Sequence, residues 1–253
     1  MTAARSVFVV TDIRPLRRGI FSVTFDAPEL AVSAEPGQFV HIKCGRSRPL
    51  RRPFGISDAS GDKLTVVFEV RGEGTKWLAA SEPGRRVDIN GPLGHGFSSV
   101  VGDILIAGGG LGAAPMLFAA RRARGRAVAV LGFRGAASAI LTEEFESACE
   151  NIFVTTDDGS LGLRGTASLP LGELLKTGRY SAVLACGPRA MLRAVAELSE
   201  RAGVRCEVSL EERMGCGVGA CLVCACRTKK DGADKMSRVC FDGPVFDSRE
   251  VVW

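Results

Sequence analysis

Long apolar runs are missing from this sequence. The longest, residues 104–107 and 127–131, are as long as a strand and stop at a glycine or a charge, whereas a membrane-spanning helix needs about 20 apolar residues. A basic, then apolar, then small-residue leader is also missing, because the first residues lead directly into a strand pattern. The sequence therefore predicts no transmembrane helix and a cytoplasmic location.

Histidine is scarce, and the charge is nearly balanced. The 253 residues include two histidines, and 33 basic against 28 acidic side chains give a net charge of +5. This small excess can help hold phosphates but does not require a nucleic acid. One local basic cluster is formed by Arg46, Arg48, Arg51 and Arg52. With 46% hydrophobic and 24% charged residues, the chain is typical of a globular protein, and a disordered or fibrous chain is excluded.

The pattern of apolar residues changes twice along the chain. Up to about residue 90, short apolar runs alternate with proline and glycine turns, which predicts a small antiparallel barrel. From about residue 102, strand patterns alternate with helix patterns, which predicts a parallel sheet with crossover helices. From residue 210 regular periodicity is weak and cysteine is abundant. We therefore predict three domains, residues 1–98, 99–209 and 210–253.

Nine cysteines without an export signal argue against a disulfide framework and for metal or redox use. The segment Cys216-Gly-Val-Gly-Ala-Cys221-Leu-Val-Cys224 has the plant-ferredoxin spacing of a [2Fe-2S] centre, with Cys240 as the fourth thiolate. Three thiolates from one tight loop need glycines, whose backbone can wrap closely around the sulfurs. The candidate metal ligands are therefore Cys216, Cys221, Cys224 and Cys240.

A four-cysteine zinc site is the alternative for this segment. Such sites pair two C-x2-C units, and only one such pair is present here, so the spacing favours the iron-sulfur centre. Cys226 is a rival ligand, although we interpret it as a neighbouring core thiol because Cys224 already completes the spacing.

A glycine-rich turn between a strand and a helix predicts a phosphate cradle. Gly108-Gly-Gly-Leu-Gly-Ala-Ala-Pro115 follows an apolar strand and opens an amphipathic stretch, so free amides and the helix dipole would face an anion. The strand of residues 127–133 ends in Arg134 instead of an acidic residue for the ribose, so the choice between NAD and NADP is not readable here. A tight turn without a ligand is the alternative. Cys186-Gly-Pro188 ends a later strand and is a second candidate border of the nucleotide.

Two segments of the predicted barrel carry ligand-type residues. Arg51-Arg-Pro-Phe-Gly-Ile-Ser57 places two guanidiniums and an aromatic ring on an extended segment, suited to a pyrophosphate and a flat heterocycle. Arg71-Gly-Glu-Gly-Thr75 is a second glycine loop that could close on the same phosphates. Taken alone, both segments are better explained as surface turns with solvated arginines.

Together, these motifs resemble the ferredoxin reductase superfamily, and in it the iron-sulfur electron transfer subunits of NAD-linked dihydroorotate dehydrogenase. The resemblance covers almost the whole chain, including Gly91-Pro-Leu-Gly-His-Gly-Phe97 and Thr156-Asp-Asp-Gly-Ser160, and is most specific from Glu211 to Phe246. It implies a flavin-binding β-barrel, a parallel-sheet nucleotide-binding domain and a C-terminal [2Fe-2S] domain.

The resemblance also implies cofactors and their residues. FAD, a [2Fe-2S] cluster and NAD are expected, with Arg52 on the FAD pyrophosphate, Phe54 beside the isoalloxazine, and Gly74 with Thr75 closing the flavin site. Gly55 departs from the Ser or Thr of many flavoreductases, for which Ser57 or a backbone amide could substitute. The candidate flavin residues are Arg51, Arg52, Pro53, Phe54, Gly55, Ser57, Gly72, Gly74 and Thr75. The candidate nucleotide residues are Gly108, Gly109, Gly110, Gly112, Pro115, Asp158, Cys186, Gly187 and Pro188.

By the same resemblance, the chain would pass electrons from an FMN-containing subunit that oxidises dihydroorotate through the cluster and FAD to NAD+, in pyrimidine biosynthesis. No catalytic acid or base is expected in this chain, because the cofactors perform the chemistry. A heterotetramer with two copies of each subunit is implied. The alternatives are a subunit of a sulfide-type or electron-bifurcating NAD(P)H:ferredoxin oxidoreductase and, from another class, a non-enzymatic zinc-binding or regulatory module.

Overall fold

The first part of the chain closes into an antiparallel barrel. A computed structural model describes residues 4–45, 49–230 and 232–253, so Arg46 and Arg48 of the predicted basic cluster lie outside the described residues. The barrel strands are β1 (Ala4–Arg17), β2 (Ile20–Asp26), β3 (Phe39–Ile42), β4 (Arg52–Ser60), β5 (Lys63–Glu69) and β6 (Arg86–Leu93). They pair in the order β1-β2-β5-β4-β3-β6, and β6 pairs with β1 to close the ring. The predicted barrel is confirmed.

Strand β4 and two short helices were not predicted as such. Because β4 begins with Arg52-Pro53 and contains Gly55, its local propensity for a strand is weak, and pairing with β3 and β5 decides its conformation. The helices are α1 (Pro28–Ser33) and α2 (Glu73–Ala79). In the segment predicted as a second glycine loop, residues 71 and 72 precede α2, and residues 73–75 form its first turn.

The middle of the chain forms a seven-stranded sheet with helices on both faces. Its strands are β7 (Ile104–Gly109), β8 (Ala127–Phe133), β9 (Asn151–Thr156), β10 (Leu163–Arg164), β11 (Ala182–Cys186), β12 (Arg205–Ser209) and β15 (Val245–Asp247). Its helices are α3 (Ala113–Arg121), α4 (Thr142–Ala148), α5 (Ser168–Leu175) and α6 (Arg189–Arg201). The order is β10-β9-β8-β7-β11-β12-β15. Six strands are parallel as predicted, while β15 returns from the cysteine-rich segment and pairs antiparallel with β12.

The cysteine-rich segment is mostly loop. Its hairpin consists of β13 (Ala225–Lys230) and β14 (Ala233–Arg238). Residues 215–224, which carry three of the candidate ligands, precede this hairpin, and Cys240 follows it. The hairpin therefore brings the fourth cysteine back to the first three.

The hydrophobic core is divided between the barrel and the sheet. One cluster fills the barrel, and two others cover the faces of the sheet. The central strands β7 and β11 are buried along their whole length, which explains their continuous apolar sequences. In the described part of the chain, no helix combines the length and the apolar character that a membrane crossing requires.

Candidate functional site

A cavity lies where the barrel, the sheet and the cysteine-rich segment meet. Its volume is about 490 Å³. Nine of the predicted cofactor residues line it, namely Arg52, Pro53, Phe54, Gly55, Gly72, Gly74, Thr75, Pro115 and Cys186. Residues predicted for a flavin and residues predicted for a nicotinamide nucleotide thus border one space, which we call the central cavity.

The barrel wall of the central cavity combines an aromatic ring and a guanidinium. Phe54 is 8% exposed, and its ring centroid lies 5.6 Å from that of Phe68, which fixes the ring at the wall. The guanidinium of Arg52 lies over Gly74, where an added Cβ would be 3.0 Å from Nε. Gly74 therefore leaves the room that Arg52 occupies, and this cationic, aromatic wall fits the pyrophosphate and the ring system of FAD.

The hydroxyl group of Thr75 ties the first turn of α2 together. Its oxygen accepts hydrogen bonds from the amides of Arg71 (2.9 Å) and Gly72 (3.1 Å). It is also 3.0 Å from the carbonyl of Gly72, to which it donates. Thr75 therefore holds the turn that borders the central cavity.

Three predicted flavin residues point to different places. Gly55 faces the helix α3, because an added Cβ would be 3.4 Å from Cβ of Pro115. Ser57 lies outside the central cavity and lines a separate space of about 110 Å³. Its buried hydroxyl group has no hydrogen-bond partner among the described residues. Arg51 also lies outside the central cavity, since its guanidinium binds the carboxylate of Asp88 at 2.7 Å and the carbonyl of His41 at 3.2 Å.

The predicted nucleotide loops pack on each other through their glycines. An added Cβ on Gly112 would be 2.5 Å from the carbonyl oxygen of Cys186, and one on Gly187 would be 3.0 Å from Cα of Gly109. Gly108 is equally close to the start of α3, with 2.8 Å to Cα of Ala113. These glycines are required by backbone packing between the ends of β7 and β11.

Gly110 is the glycine of this loop that faces open space. Its φ is +54°, and an added Cβ would meet no atom within 4 Å. The turn of residues 110–112 leads directly into α3, so the free amides of that helix and Gly110 lie at the same sheet edge. This arrangement is typical of a phosphate cradle.

Asp158 and Pro188 lie at the same edge, outside the central cavity. Asp158 follows β9, and its carboxylate accepts hydrogen bonds from the amide (2.9 Å) and hydroxyl (2.6 Å) of Ser160, which lower its pKa. The carboxylate lies against Gly135, at the end of β8. Pro188 precedes α6 and packs against Gly109. Asp158 thus places an acidic group at the end of β8, where the chain itself has Arg134.

The four candidate ligands form two pairs. Cys216 lies beside Cys221, and Cys224 lies beside Cys240. In the described residues no three potential ligands converge on one ion position. The pairing of Cys216 with Cys221 and of Cys224 with Cys240 is compatible with two thiolates for each iron of a [2Fe-2S] centre.

Backbone amides point at these sulfurs. Sγ of Cys216 accepts from the amides of Val218 (3.4 Å), Ala220 (3.2 Å) and Cys221 (3.4 Å). Burial opposes ionisation of this thiol, but the amide donors lower its pKa to about 6. Sγ of Cys240 accepts from Gly219 at 3.2 Å, although burial raises its pKa to about 12. Inward amides of this kind stabilise the anionic sulfur of a cluster.

Two cysteines near these sites, Cys226 and Cys186, are buried thiols with raised pKa values. Cys226 is buried, lies on β13 and has a raised pKa because of its desolvation. Cys186 is buried at the edge of the central cavity, and burial raises its pKa to about 12. The thiol of Cys186 therefore stays protonated and neutral at neutral pH.

Sequence reasoning missed two charged or polar residues near these sites. Glu211 lines the central cavity, where desolvation raises its pKa against the opposing charge of Arg71. We call residues 215–224 the cysteine loop. His41 lies under this loop, with its ring against Gly217. His41 belongs to no local motif, and Glu211 opens the segment most specific to the resemblance without a role of its own in it. The contacts of both residues join segments that are distant in the chain. Trp253 packs against α6, where Arg189 lies 5.8 Å above its ring, and does not line the central cavity.

The matching family and two similar proteins carry the name dihydroorotate dehydrogenase B. Residues 211–252 match the family described as the iron-sulfur cluster binding domain of dihydroorotate dehydrogenase B. The chain is 40% identical over 242 residues to the dihydroorotate dehydrogenase B (NAD(+)) electron transfer subunit of Caldanaerobacter subterraneus, covering 95% of each chain. It is 36% identical over 259 residues to the subunit of that name from Geobacillus thermodenitrificans, covering 98% of each.

A solved structure is similar over the whole fold. It belongs to a study of flavin-based electron bifurcation in the NADH-dependent reduced ferredoxin-NADP oxidoreductase. The TM-score is 0.86 at 28% identity, covering 98% of this chain and 90% of that one. The barrel, the sheet and the cysteine-rich segment therefore have a common arrangement in both proteins.

Proposed function

We propose a residue-level electron route for this chain, which belongs to the family of electron transfer subunits of dihydroorotate dehydrogenase B (NAD(+)). The chain carries electrons from a dihydroorotate-oxidising catalytic subunit to NAD+. One observation supports the order of sites along the route. Arg52 and Pro53 line both the central cavity and a groove beside Cys216 and Cys221. The flavin and the cluster are therefore neighbours across β4.

Strand β4 and helix α2 hold the flavin. Arg52 binds the pyrophosphate, Phe54 lies beside the isoalloxazine, and Gly72, Gly74 and Thr75 close the site. Arg51 supports this strand from behind through Asp88. When bound, FAD would supply the conversion of single electrons from the cluster into a hydride for NAD+.

The ends of β7, β9 and β11 hold the nicotinamide nucleotide. Gly110 and the amides at the start of α3 bind its phosphates, and Asp158 is near its ribose. Cys186, Gly187 and Pro115 border the nicotinamide beside the flavin. The neutral, buried thiol of Cys186 excludes water from this border without adding a charge.

The cysteine loop holds the cluster. Cys216 and Cys221 bind one iron, and Cys224 and Cys240 bind the other, which agrees with their pairing. The amides of Val218, Gly219 and Ala220 stabilise the sulfurs. We divide the chain at residues 98/99 and 209/210 into three domains, with β15 of the third domain fastening it to the sheet of the second.

The catalytic subunit docks over the cluster. Val218, Leu222, Val223 and Phe241 are 47–63% exposed around the cysteine loop, and we call this surface the cluster rim. Exposed apolar side chains of this kind mark protein interfaces. The partner carries FMN, the assembly contains two copies of each subunit, and its reaction belongs to pyrimidine biosynthesis. A reducing, cytoplasmic location is supported by the nine cysteines, none of which is in a disulfide among the described residues.

The electron-bifurcating oxidoreductase subunit is the second candidate. It is favoured by the similarity over 98% of this chain to the bifurcating enzyme. The identity of 28% is lower than the 40% to the dihydroorotate dehydrogenase subunit, which supports the first candidate. The two differ in the partner, so the substrate that reduces the reconstituted complex discriminates between them.

Replacing one ligand tests the route. In the Cys221→Ser protein, NADH should still reduce FAD, whereas dihydroorotate-dependent reduction of NAD+ with the partner should stop. Absorption spectra recorded without oxygen before and after NADH follow the flavin and the cluster separately. Cys226→Ser is the matched control and should retain the cluster. An unchanged coupled rate in Cys221→Ser would contradict the ligand assignment, and a colourless, zinc-loaded native protein would favour the binding module.

A further inference from the structure

A buried histidine lies between strand β4, which carries the barrel wall of the central cavity, and the cysteine loop. His41, on β3, has no exposed surface, and neither ring nitrogen has a hydrogen-bond partner in the described structure. Burial and the charge of Arg51 lower its pKa to about 4, although the nearby backbones of Cys216 and Arg51 raise it. The ring is therefore neutral and fully buried.

On one side, His41 pairs with strand β4, which carries the barrel wall of the central cavity. It is the direct partner of Pro53 in the pairing of β3 with β4, and its neighbours Val40 and Ile42 pair with Phe54 and Arg52. Its carbonyl also accepts from the guanidinium of Arg51 at 3.2 Å. A shift of His41 would therefore move the strand that carries the flavin residues.

On the other side, the imidazole supports the cysteine loop. Gly217 follows the ligand Cys216 and has a φ of +73°. A Cβ on Gly217 would be 2.5 Å from Nδ1 and 2.9 Å from Cε1 of His41. The first turn of the loop thus rests directly on the ring.

We infer that His41 is a positioning residue, which holds the cysteine loop on β4 and thereby sets the rate of electron transfer between flavin and cluster. This inference rests on the proposed function. An ordinary core histidine would contribute to stability alone, whereas a positioning residue also changes electron transfer in folded, fully loaded protein.

Steric coupling provides the test. Gly217→Ala introduces a methyl group against the imidazole, and His41→Ala removes the imidazole. Gly219→Ala is the matched control, because Gly219 lies in the same loop with a φ of +80° but faces Phe241 instead of His41. Both alanines incur the strain of a positive φ and a close contact, the first at 2.5 Å from Nδ1 of His41 and the second at 2.9 Å from Cβ of Phe241, so they differ in which side chain they meet.

The experiment uses the holo-protein and anaerobic stopped-flow mixing with NADH, with iron and sulfide content as the measure of loading. Gly217→Ala should slow cluster reduction about tenfold, while flavin reduction by NADH stays near the native rate. Adding His41→Ala should restore most of this loss in the Gly217→Ala protein and none in the Gly219→Ala protein. Reduction potentials of the cluster should move in parallel with the rates.

Equal slowing by the two glycine substitutions, with rescue of neither by His41→Ala, would overturn the inference. If His41→Ala alone fails to retain the cluster, His41→Asn replaces it in the same cycle. A native protein whose flavin is not reduced by NADH would contradict the proposed function and this inference together. Normal flavin reduction with no rescue contradicts the inference alone.

Discussion

At the scale of single residues, glycine positions explain how the two nucleotide loops fit together. Gly112 and Gly187 let the ends of β7 and β11 approach each other at backbone distance, because an added Cβ on Gly112 would be 2.5 Å from the carbonyl of Cys186. The glycines therefore shape the protein itself, and Gly110 faces the space left for a ligand. Most of the glycines predicted for phosphate binding therefore have a packing role.

A methyl group at Gly112 tests this role. Gly112→Ala should lower the free energy of unfolding by about 1–3 kcal/mol, because two backbones must separate, and should weaken NAD binding. Thermal unfolding and NADH titration measure both effects. Gly172→Ala, in α5, is the control, since its Cβ would make an ordinary contact at 3.6 Å with Leu198 of α6, and it should stabilise by about 0.5–1 kcal/mol. Equal stability of both variants would exclude the packing role.

At the scale of elements, the short strand β15 connects the cysteine-rich segment to the sheet. Phe246 pairs with Val208 of β12, is 6% exposed and packs in the same cluster as Cys224 and Cys240. This one strand therefore joins the packing of the nucleotide part to the packing around the ligands. The sequence predicted neither the strand nor its antiparallel direction, since three residues carry too little pattern.

Truncating Phe246 should loosen this connection. Phe246→Ala should cost about 3–5 kcal/mol of unfolding free energy, as for other buried aromatic side chains, and should accelerate loss of the cluster. Urea unfolding and the release of iron over time provide the measurements. Val7→Ala, at a half-exposed site on β1, is the control and should change stability by less than about 0.5 kcal/mol. Unchanged iron release in Phe246→Ala would separate β15 from the ligand site.

At the scale of the whole molecule, the central cavity and the groove beside Cys216 and Cys221 share Arg52 and Pro53 as lining residues. The cluster rim is the exposed apolar surface around the same cysteines. Leu222 is exposed by 63% and has a φ of +59°, a conformation that bulky residues rarely adopt. An exposed leucine in this conformation points to a role in binding.

Changing Leu222 tests docking at this surface. Leu222→Asp should weaken binding of the catalytic subunit by about 10- to 30-fold, because a charge enters an apolar contact. Folding should be unaffected, since aspartate tolerates a left-handed conformation better than leucine does. Calorimetric titration with the partner measures the affinity, and NADH reduction of the flavin measures integrity. Leu163→Asp, on β10, is the control; an equal loss there would contradict docking at the cluster rim.

The sequence by itself determined the features that depend on short stretches of chain. The alternation of short apolar runs with turns predicted the barrel, and the alternation of strand and helix patterns predicted the parallel strands. The spacing from Cys216 to Cys224 predicted the candidate ligand loop, because all three features are local. The tertiary structure alone decided which of two adjacent arginines faces the central cavity, and that Ser57 faces a different space. It also brought His41 under Gly217 and Glu211 to the central cavity. These contacts join segments far apart in the chain, and packing between distant segments leaves no periodic signal in a single sequence.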